Sequence, residues 1–290
     1  MAQLRVLDKQ KLQSQKDRLE KANLNRADLE GVDLSGGNLK EAELKKSNLK
    51  KAVFEKTVLN GADFTGSFLV GAAFGAASLI RADFSKTNLS GADLRETDLS
   101  SGVFNEAVIL KANFHNANLK RAEFNKANLK GSDLRNVNLS KSDLRGAQLM
   151  QTNLAGAQIP KSHISQANFT GANLEKTDVS ACNLSRCDFR EANLRDADFS
   201  NSILTRAVFK GADLSGADFS QTNIRGGDFA DTRLHQANLK GADLSLAVNL
   251  SPETLQTALL DRKTKVPDNI QVRWLSETEF ECAEAPPDPA

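Results

Sequence analysis

The sequence has no tyrosine, one tryptophan (Trp274), two methionines, three cysteines and three histidines in 290 residues. Three cysteines cannot form a dense disulfide framework, so a reducing compartment, the cytoplasm, is the expected location. No run of 18 apolar residues exists, which excludes a membrane-spanning helix. The first 21 residues are too charged for a signal peptide. Excess charge of either sign is missing too: 38 basic residues stand against 37 acidic ones. That argues against direct nucleic-acid binding through a large basic face, and against a strongly polyanionic surface. No phosphate-binding loop, nucleophile elbow or zinc-protease motif occurs, so no catalytic residue, cofactor or metal is expected.

What is present is a repeat of five. From Leu24 to Leu244 every fifth residue is Leu, Phe, Ile or Val, without insertion or deletion. We call this position i. Position i−2 holds a small or short side chain throughout, most often Ala, and i−1 is mostly Asp or Asn. The stretch GADLSGADFS, residues 211–220, shows the pattern plainly. A period of five matches neither a helix nor a strand. The chain must therefore turn once per pentapeptide if i and i−2 are always to face inward. Of 18 glycines, 14 fall at i+2, which marks the corner, because glycine tolerates positive φ.

Four such sides close a coil of twenty residues, and the 45 sides from 24 to 244 make about 11 coils. Coils stack at about 4.8 Å, the strand spacing. Phenylalanine supports four sides. Phe54, Phe64, Phe74, Phe84, Phe104, Phe114 and Phe124 are spaced by ten residues or a multiple of ten, and hence lie on two opposite walls. The ten-residue spacing returns, shifted by five, from Phe169 to Phe229. The histidines cannot share a metal: His115 and His235 fall in one column but six coils apart, about 29 Å, and His163 lies elsewhere. Cys182 and Cys187 both occupy i−2, so their spacing is the repeat itself and they read as core filler.

The pattern resembles the pentapeptide-repeat family, whose consensus is A(D/N)LXX, over residues 22–246. The resemblance implies an all-β solenoid, a right-handed quadrilateral β-helix. It also implies candidate functions. Some bacterial members mimic duplex DNA and bind DNA gyrase or topoisomerase IV; others act as effectors or in cyanobacterial differentiation. The mimic reading conflicts with charge, since residues 61–250 carry 21 basic and 20 acidic side chains. The preferred expectation is a non-enzymatic scaffold presenting rigid walls to a protein partner.

Open ends of a stacked solenoid require caps. Residues 1–21, with Leu4, Leu7, Leu12 and Leu19, suggest a capping helix. After Leu244 the register fails at Asn249. Ser251-Pro252-Glu253-Thr254 then predicts a helix start that buries Leu255, Ala258 and Leu259. Val266, Ile270, Val272, Trp274 and Leu275 would cover the last coil, within a C-terminal extension of 247–282, and 283–290 reads as a disordered tail. Residues 1–60 carry net +4 (13 basic, 9 acidic) and residues 251–290 net −4 (4 basic, 8 acidic). These charges favour head-to-tail association or simply solvated caps, and the C-terminal cap is a candidate homodimer surface.

Two surface features stand out as partner-binding candidates. Phe68 and Val70 flank Leu69 on one wall, Val108 and Leu110 repeat the arrangement two coils on, and Val53 and Ala73 stack on the adjoining wall. Exposed apolar patches mark contact sites, unless a cap covers them. The second feature is a carboxylate stack, Asp178, Asp198 and Asp218, on a wall that carries Arg121, Lys141 and Lys161 in earlier coils. It reads either as tolerated surface charge or as an electrostatic docking face.

Overall fold

The computed structural model describes residues 5–6 and 8–286. The chain forms two compact units, residues 1–153 and 154–290. Both are built by the same local rule.

In the first unit, i−1 residues pair in parallel with those twenty positions on, from Asn23 with Glu43 to Asp133 with Asn153. Each pentapeptide makes a repeated set of hydrogen bonds to its neighbours. Leu24 N donates to Glu43 O at 2.7 Å, Arg26 N to Lys45 O at 2.8 Å, and Glu43 N to Ala22 O at 2.9 Å. At most corners the N–H of residue i+3 also donates to the i carbonyl, as Val32 N does to Leu29 O at 3.1 Å. With φ positive only at i+2, this is the geometry of a type II turn. The second unit repeats the scheme from Gln158 paired with Asp178 to Asp228 paired with Val248. The twenty-residue circuit is thus fixed by main-chain pairing in each unit.

The corner conformation is not confined to glycine. Lys46, Ala76, Arg121 and Lys161 all hold φ between 55° and 61°. A side chain there costs about 1 kcal/mol. Gly91 tests this alone: a Cβ on it would meet nothing within 4 Å, and its φ is +67°. Gly91→Ala should therefore lower stability by about 1 kcal/mol, while Ala76→Gly should raise it by about 0.5 kcal/mol after the entropy of the freer unfolded chain is counted. Denaturant midpoints measure both.

Inside, the i and i−2 residues from Leu24 to Leu244 are buried. In the first unit Phe54 stacks on Phe74 (centroids 5.0 Å apart) and Phe64 on Phe84 (4.8 Å), the two columns meeting edge to face. In the second unit Phe189 stacks on Phe209 and Phe199 on Phe219. Polar i−2 side chains stay satisfied by donating to main-chain carbonyls, either three residues back, as Thr87 Oγ1 does to Phe84 O at 2.6 Å, or in the preceding coil. Ser47 Oγ donates to Leu24 O at 2.8 Å and Thr57 Oγ1 to Leu34 O at 3.0 Å.

The ends depart from expectation. At the N-terminus a strand β1, Arg5–Val6, pairs in parallel with β2, Ala27–Asp28. The capping helix is shorter than 1–21. It is α1, Lys9–Ser14, N-capped by Asp8, followed by a 3₁₀ turn at Lys16–Arg18. No α1 residue is buried. The reason lies in Leu19, which the helix was expected to use. Leu19 takes an i position instead, 7% exposed, with its N–H donating to Asn38 O at 3.1 Å. Leu4 and Leu7 lie outside the described residues.

At the C-terminus the predicted start is found. Ser251 N-caps α2, Pro252–Gln256, and Pro252 and Leu255 are buried. The register has slipped by one: Asn249 is exposed with φ 57°, and Leu250, Leu255 and Leu260 now face inward. Leu259, expected in the core, is therefore 38% exposed and pairs outward with Asn238. Beyond it, β3, Ile270–Trp274, and β4, Phe280–Glu284, form an antiparallel hairpin. Ile270 and Phe280 are buried, but Leu275, expected over the last coil, is 53% exposed. The tail expected from 283 begins inside β4, where Ala283 pairs with Gln271 and Glu284 with Ile270. Residues 287–290 lie outside the described residues.

Candidate functional site

The outward residues divide into two classes, those that serve the coil and those that do not. The i−1 carboxylates and amides mostly serve it. Asp33 Oδ1 accepts from Ser35 N at 2.9 Å, Asp63 Oδ1 from Thr65 N at 2.9 Å, and Asn88 Oδ1 from Ser90 N at 3.0 Å. A short acceptor at i−1 thus closes the corner that follows it, which explains why Asp and Asn dominate there. The Asp178, Asp198 and Asp218 stack falls in this class. The three pair rung to rung in the second unit. Each accepts the N–H two residues on, Ser180 at 2.9 Å, Ser200 at 2.8 Å and Ser220 at 2.7 Å. Lys161 is exposed at a corner of the same unit, with its N–H on Ser180 O. Arg121 and Lys141 are exposed corners of the first unit.

Arginine at i+1 strengthens the arrangement. Arg95 grips Asp93, and Arg135 grips Asp133, each through two guanidinium nitrogens, with Nη2 to Oδ2 at 2.6 Å. The guanidinium hydrogen bonds hold the carboxyls of Asp93 and Asp133 below their ordinary 3.8, against the opposing effect of burial. A depressed folded pKa stabilises above the unfolded value and loses that effect as pH falls through the folded value. Melting temperature should therefore drop as the pH falls below about 4. The double variant Arg95→Ala, Arg135→Ala should show a shallower drop in the same scan.

The cysteines lack reactive geometry. Cys182 Sγ donates to Ile159 O at 3.0 Å and Cys187 Sγ to Ile164 O at 3.1 Å. Burial pushes both thiols up to about 12, and Cys282, half-buried on β4, up to about 11. A thiol reagent at neutral pH should modify Cys282 first, and Cys182 and Cys187 only after denaturation. Counting released thiolate with and without denaturant checks this. No group of His, Cys, Asp or Glu among the described residues is placed to hold a metal ion, and no described helix is long and apolar enough to cross a membrane.

The apolar candidates belong to the class that does not serve the coil. Phe68 is 51% exposed and Val108 38%, so no described cap segment covers them. Val70, Leu110, Val53 and Ala73 are half-buried. Phe68 and Val108 share a wall, linked through Asn88, while Val53 pairs directly with Ala73 on the next. The structure adds what the sequence reading missed. The Phe68 wall is rich in lysine, and Lys50 Nζ lies 6.0 Å from the Phe68 ring centroid. The signal was in the sequence, but only in residues twenty apart read together at i+1 and i+2. Val58, Ile203 and Val248, all exposed at i−1, were also missed.

A chain that closes a circuit every twenty residues, fills its interior with side chains and spends its polarity on its own corners is a solenoid repeat protein. The chain belongs to the pentapeptide-repeat family. Profiles described as "Pentapeptide repeats" and "Pentapeptide repeat region" match it, the first at 22–61, 38–75, 77–109, 182–221 and 212–248, the second at 117–199. Among solved structures it is similar to HetL from the cyanobacterium Nostoc sp. strain PCC 7120, a protein involved in heterocyst differentiation regulation. The identity is 30%, over 72% of this chain and 89% of HetL, with a TM-score of 0.47. Full-length QnrB1, a plasmid-mediated fluoroquinolone resistance protein, is 21% identical over 76% of this chain and 94% of its own, with a TM-score of 0.35. Rfr23 from the cyanobacterium Cyanothece 51142 is 22% identical over 45% and 89%, with a TM-score of 0.25. A search of curated proteins finds no significant match.

Proposed function

We propose that the protein works in the cytoplasm as a non-enzymatic scaffold that holds a protein partner against an outer wall of its first unit. The observation that carries this reading is Phe68, half in solvent on a flat wall, with Val70, Val108 and Leu110 beside and beyond it. The corner-closing role that explains Asp and Asn at i−1 explains neither Phe nor Val there. Solvent-facing apolar clusters of this kind mark contact surfaces.

Affinity capture from the native cell tests it, comparing wild type with Phe68→Asp plus Leu110→Asp. Loss of a specific partner from the variant is the expected result. Equal recovery by both would discard the apolar surface. A gyrase supercoiling assay with purified protein serves as the control for DNA mimicry. With 21 basic and 20 acidic residues over 61–250, unchanged activity is expected.

A further inference from the structure

We propose that the Phe68 wall binds an acidic amphipathic helix of the partner, laid along the stacking direction with apolar side chains at its positions n and n+7. This rests on the scaffold reading and gives it a chemistry.

The wall alternates rung by rung. Its stacking order is set by the pairings of Asn48 with Phe68, Phe68 with Asn88, Asn88 with Val108 and Val108 with Asn128. The first rung is basic, with Lys46, Lys50 and Lys51. Phe68 and Val70 make the second apolar. Lys86 charges the third, Val108 and Leu110 make the fourth apolar apart from the corner pair Glu106 and Lys111, and Lys126 and Lys130 charge the fifth. All seven lysines are exposed, and Glu106 is the one acid on this wall between 46 and 131. Glu106 lies 4.0 Å from Lys86. Among the described residues, none of the other six lysines has a carboxylate within ion-pair distance. The glycines at the corners of the Phe68 rung shape the wall. A Cβ on Gly66 or Gly71 would stand 3.6 or 3.8 Å from the Cγ of Lys46 or Lys51. The lysine stems lie over these bare corners, and Phe68 stands proud between them.

The spacing selects the partner's conformation. Two apolar rungs two coils apart are separated by about 9.6 Å. Seven helical residues rise about 10.5 Å and return to the same face. An extended strand covers that distance in three residues, which puts the third side chain on the opposite face. With n and n+7 on the apolar rungs, positions n+3 and n+4 face Lys86. Positions n−3 and n−4 face the first basic rung, and n+10 and n+11 face Lys126 and Lys130. Carboxylates at those places complete the match, and the surplus of lysine steers such a helix in. An anionic membrane fits less well, because the apolar rungs are split by Asn88 and Ser90, and Val70 and Leu110 are half-buried.

The probe is a labelled synthetic peptide of about three heptads. It carries Leu at n and n+7, Glu at the six facing positions and Ala elsewhere, and is titrated with the full chain at about 0.15 M salt. A second peptide of the same composition moves one Leu from n+7 to n+5. The expected result is saturable binding of the first peptide, weakened about tenfold by the Leu shift. Lys86→Glu plus Lys126→Glu, and separately Phe68→Asp, should each weaken it about tenfold. Lys176→Glu, in the second unit, should leave it unchanged. Circular dichroism melts confirm that each variant folds. Equal binding of both peptides, or no binding by either, overturns the proposal. So does binding to phosphatidylserine-containing vesicles without binding to the peptide. A captured cellular partner that ignores Lys86→Glu plus Lys126→Glu but is lost with Phe68→Asp plus Leu110→Asp also overturns it, while leaving the scaffold reading standing.

Discussion

Phe64→Ala should lower the stability of the first unit by about 4 kcal/mol, whereas Phe68→Ala, four residues on, should change it by about 0.5 kcal/mol or less. The two differ only in the direction the repeat assigns them. Phe64 is fully buried, stacked on Phe84 with centroids 4.8 Å apart, and edge-on to Phe54 at 6.1 Å and Phe74 at 5.9 Å. Each such ring contact contributes about 1 kcal/mol beyond the burial itself. The cavity left behind cannot close, because the surrounding main chain is tied coil to coil. Phe64 N itself donates to Asp83 O at 2.7 Å. Phe68 loses only a half-exposed ring and its contact with Lys50. Denaturant titrations followed by circular dichroism measure both. Equal losses would show that the inward and outward assignments are wrong.

The inward face was legible because it needs only counting. Positions i and i−2 recur in strict register, and each is buried from Leu24 to Leu244. The corner was legible through glycine, although glycine understates it. Lys126 and Asn136 take φ of 57° and 56° with no glycine to announce it. What failed was whatever breaks the register. Leu259 was placed inward by helical spacing, yet the extra residue at Asn249 had already moved the inward set to Leu250, Leu255 and Leu260. The hairpin was missed because its turn, Ser276-Glu277-Thr278-Glu279, has no Gly, Pro or Asn to mark it, and β4 offers Phe280 as its single large apolar side chain. The lysine wall was missed for a different reason. Lys50, Lys86 and Lys130 are scattered along the chain among acids that belong to other walls, and they become neighbours only when the chain is wound in twenties.

Deleting Ser101 alone should unfold the first unit, while deleting the twenty residues 87–106 should leave it folded and close to its original stability. The larger deletion removes one circuit. Ala107 then follows Lys86 and takes the inward place of Thr87, and every later residue of the unit keeps its wall. The single deletion advances everything after it by one step. Phe104 moves from i to the outward i−1, Lys120, Lys130, Arg135 and Arg145 come to i, and Glu123, Asp133 and Asp143 come to the inward i−2. Four cations and three carboxylates would be forced into a narrow tube lined by apolar side chains and a few hydroxyls, whose carbonyls are already occupied. Each costs several kcal/mol even after relaxation, and two phenylalanine columns are lost as well. Together these exceed the roughly 5–15 kcal/mol that holds a domain of this size. A local bulge is the escape, and the chain shows where it can be tolerated. The extra residue at Asn249 is absorbed in the last coil of the second unit, where α2 replaces a regular side and the next pairings stretch to Asn238 with Leu259 and Asp243 with Lys265. Residue 101 has regular coils on both sides, each bound to its neighbours by the same bonds, with no helix to take up the slack. Circular dichroism melts and limited proteolysis of the two deletion variants decide the matter. A single-residue variant that melts as cooperatively as the twenty-residue one would mean that strict register is not what holds this unit together.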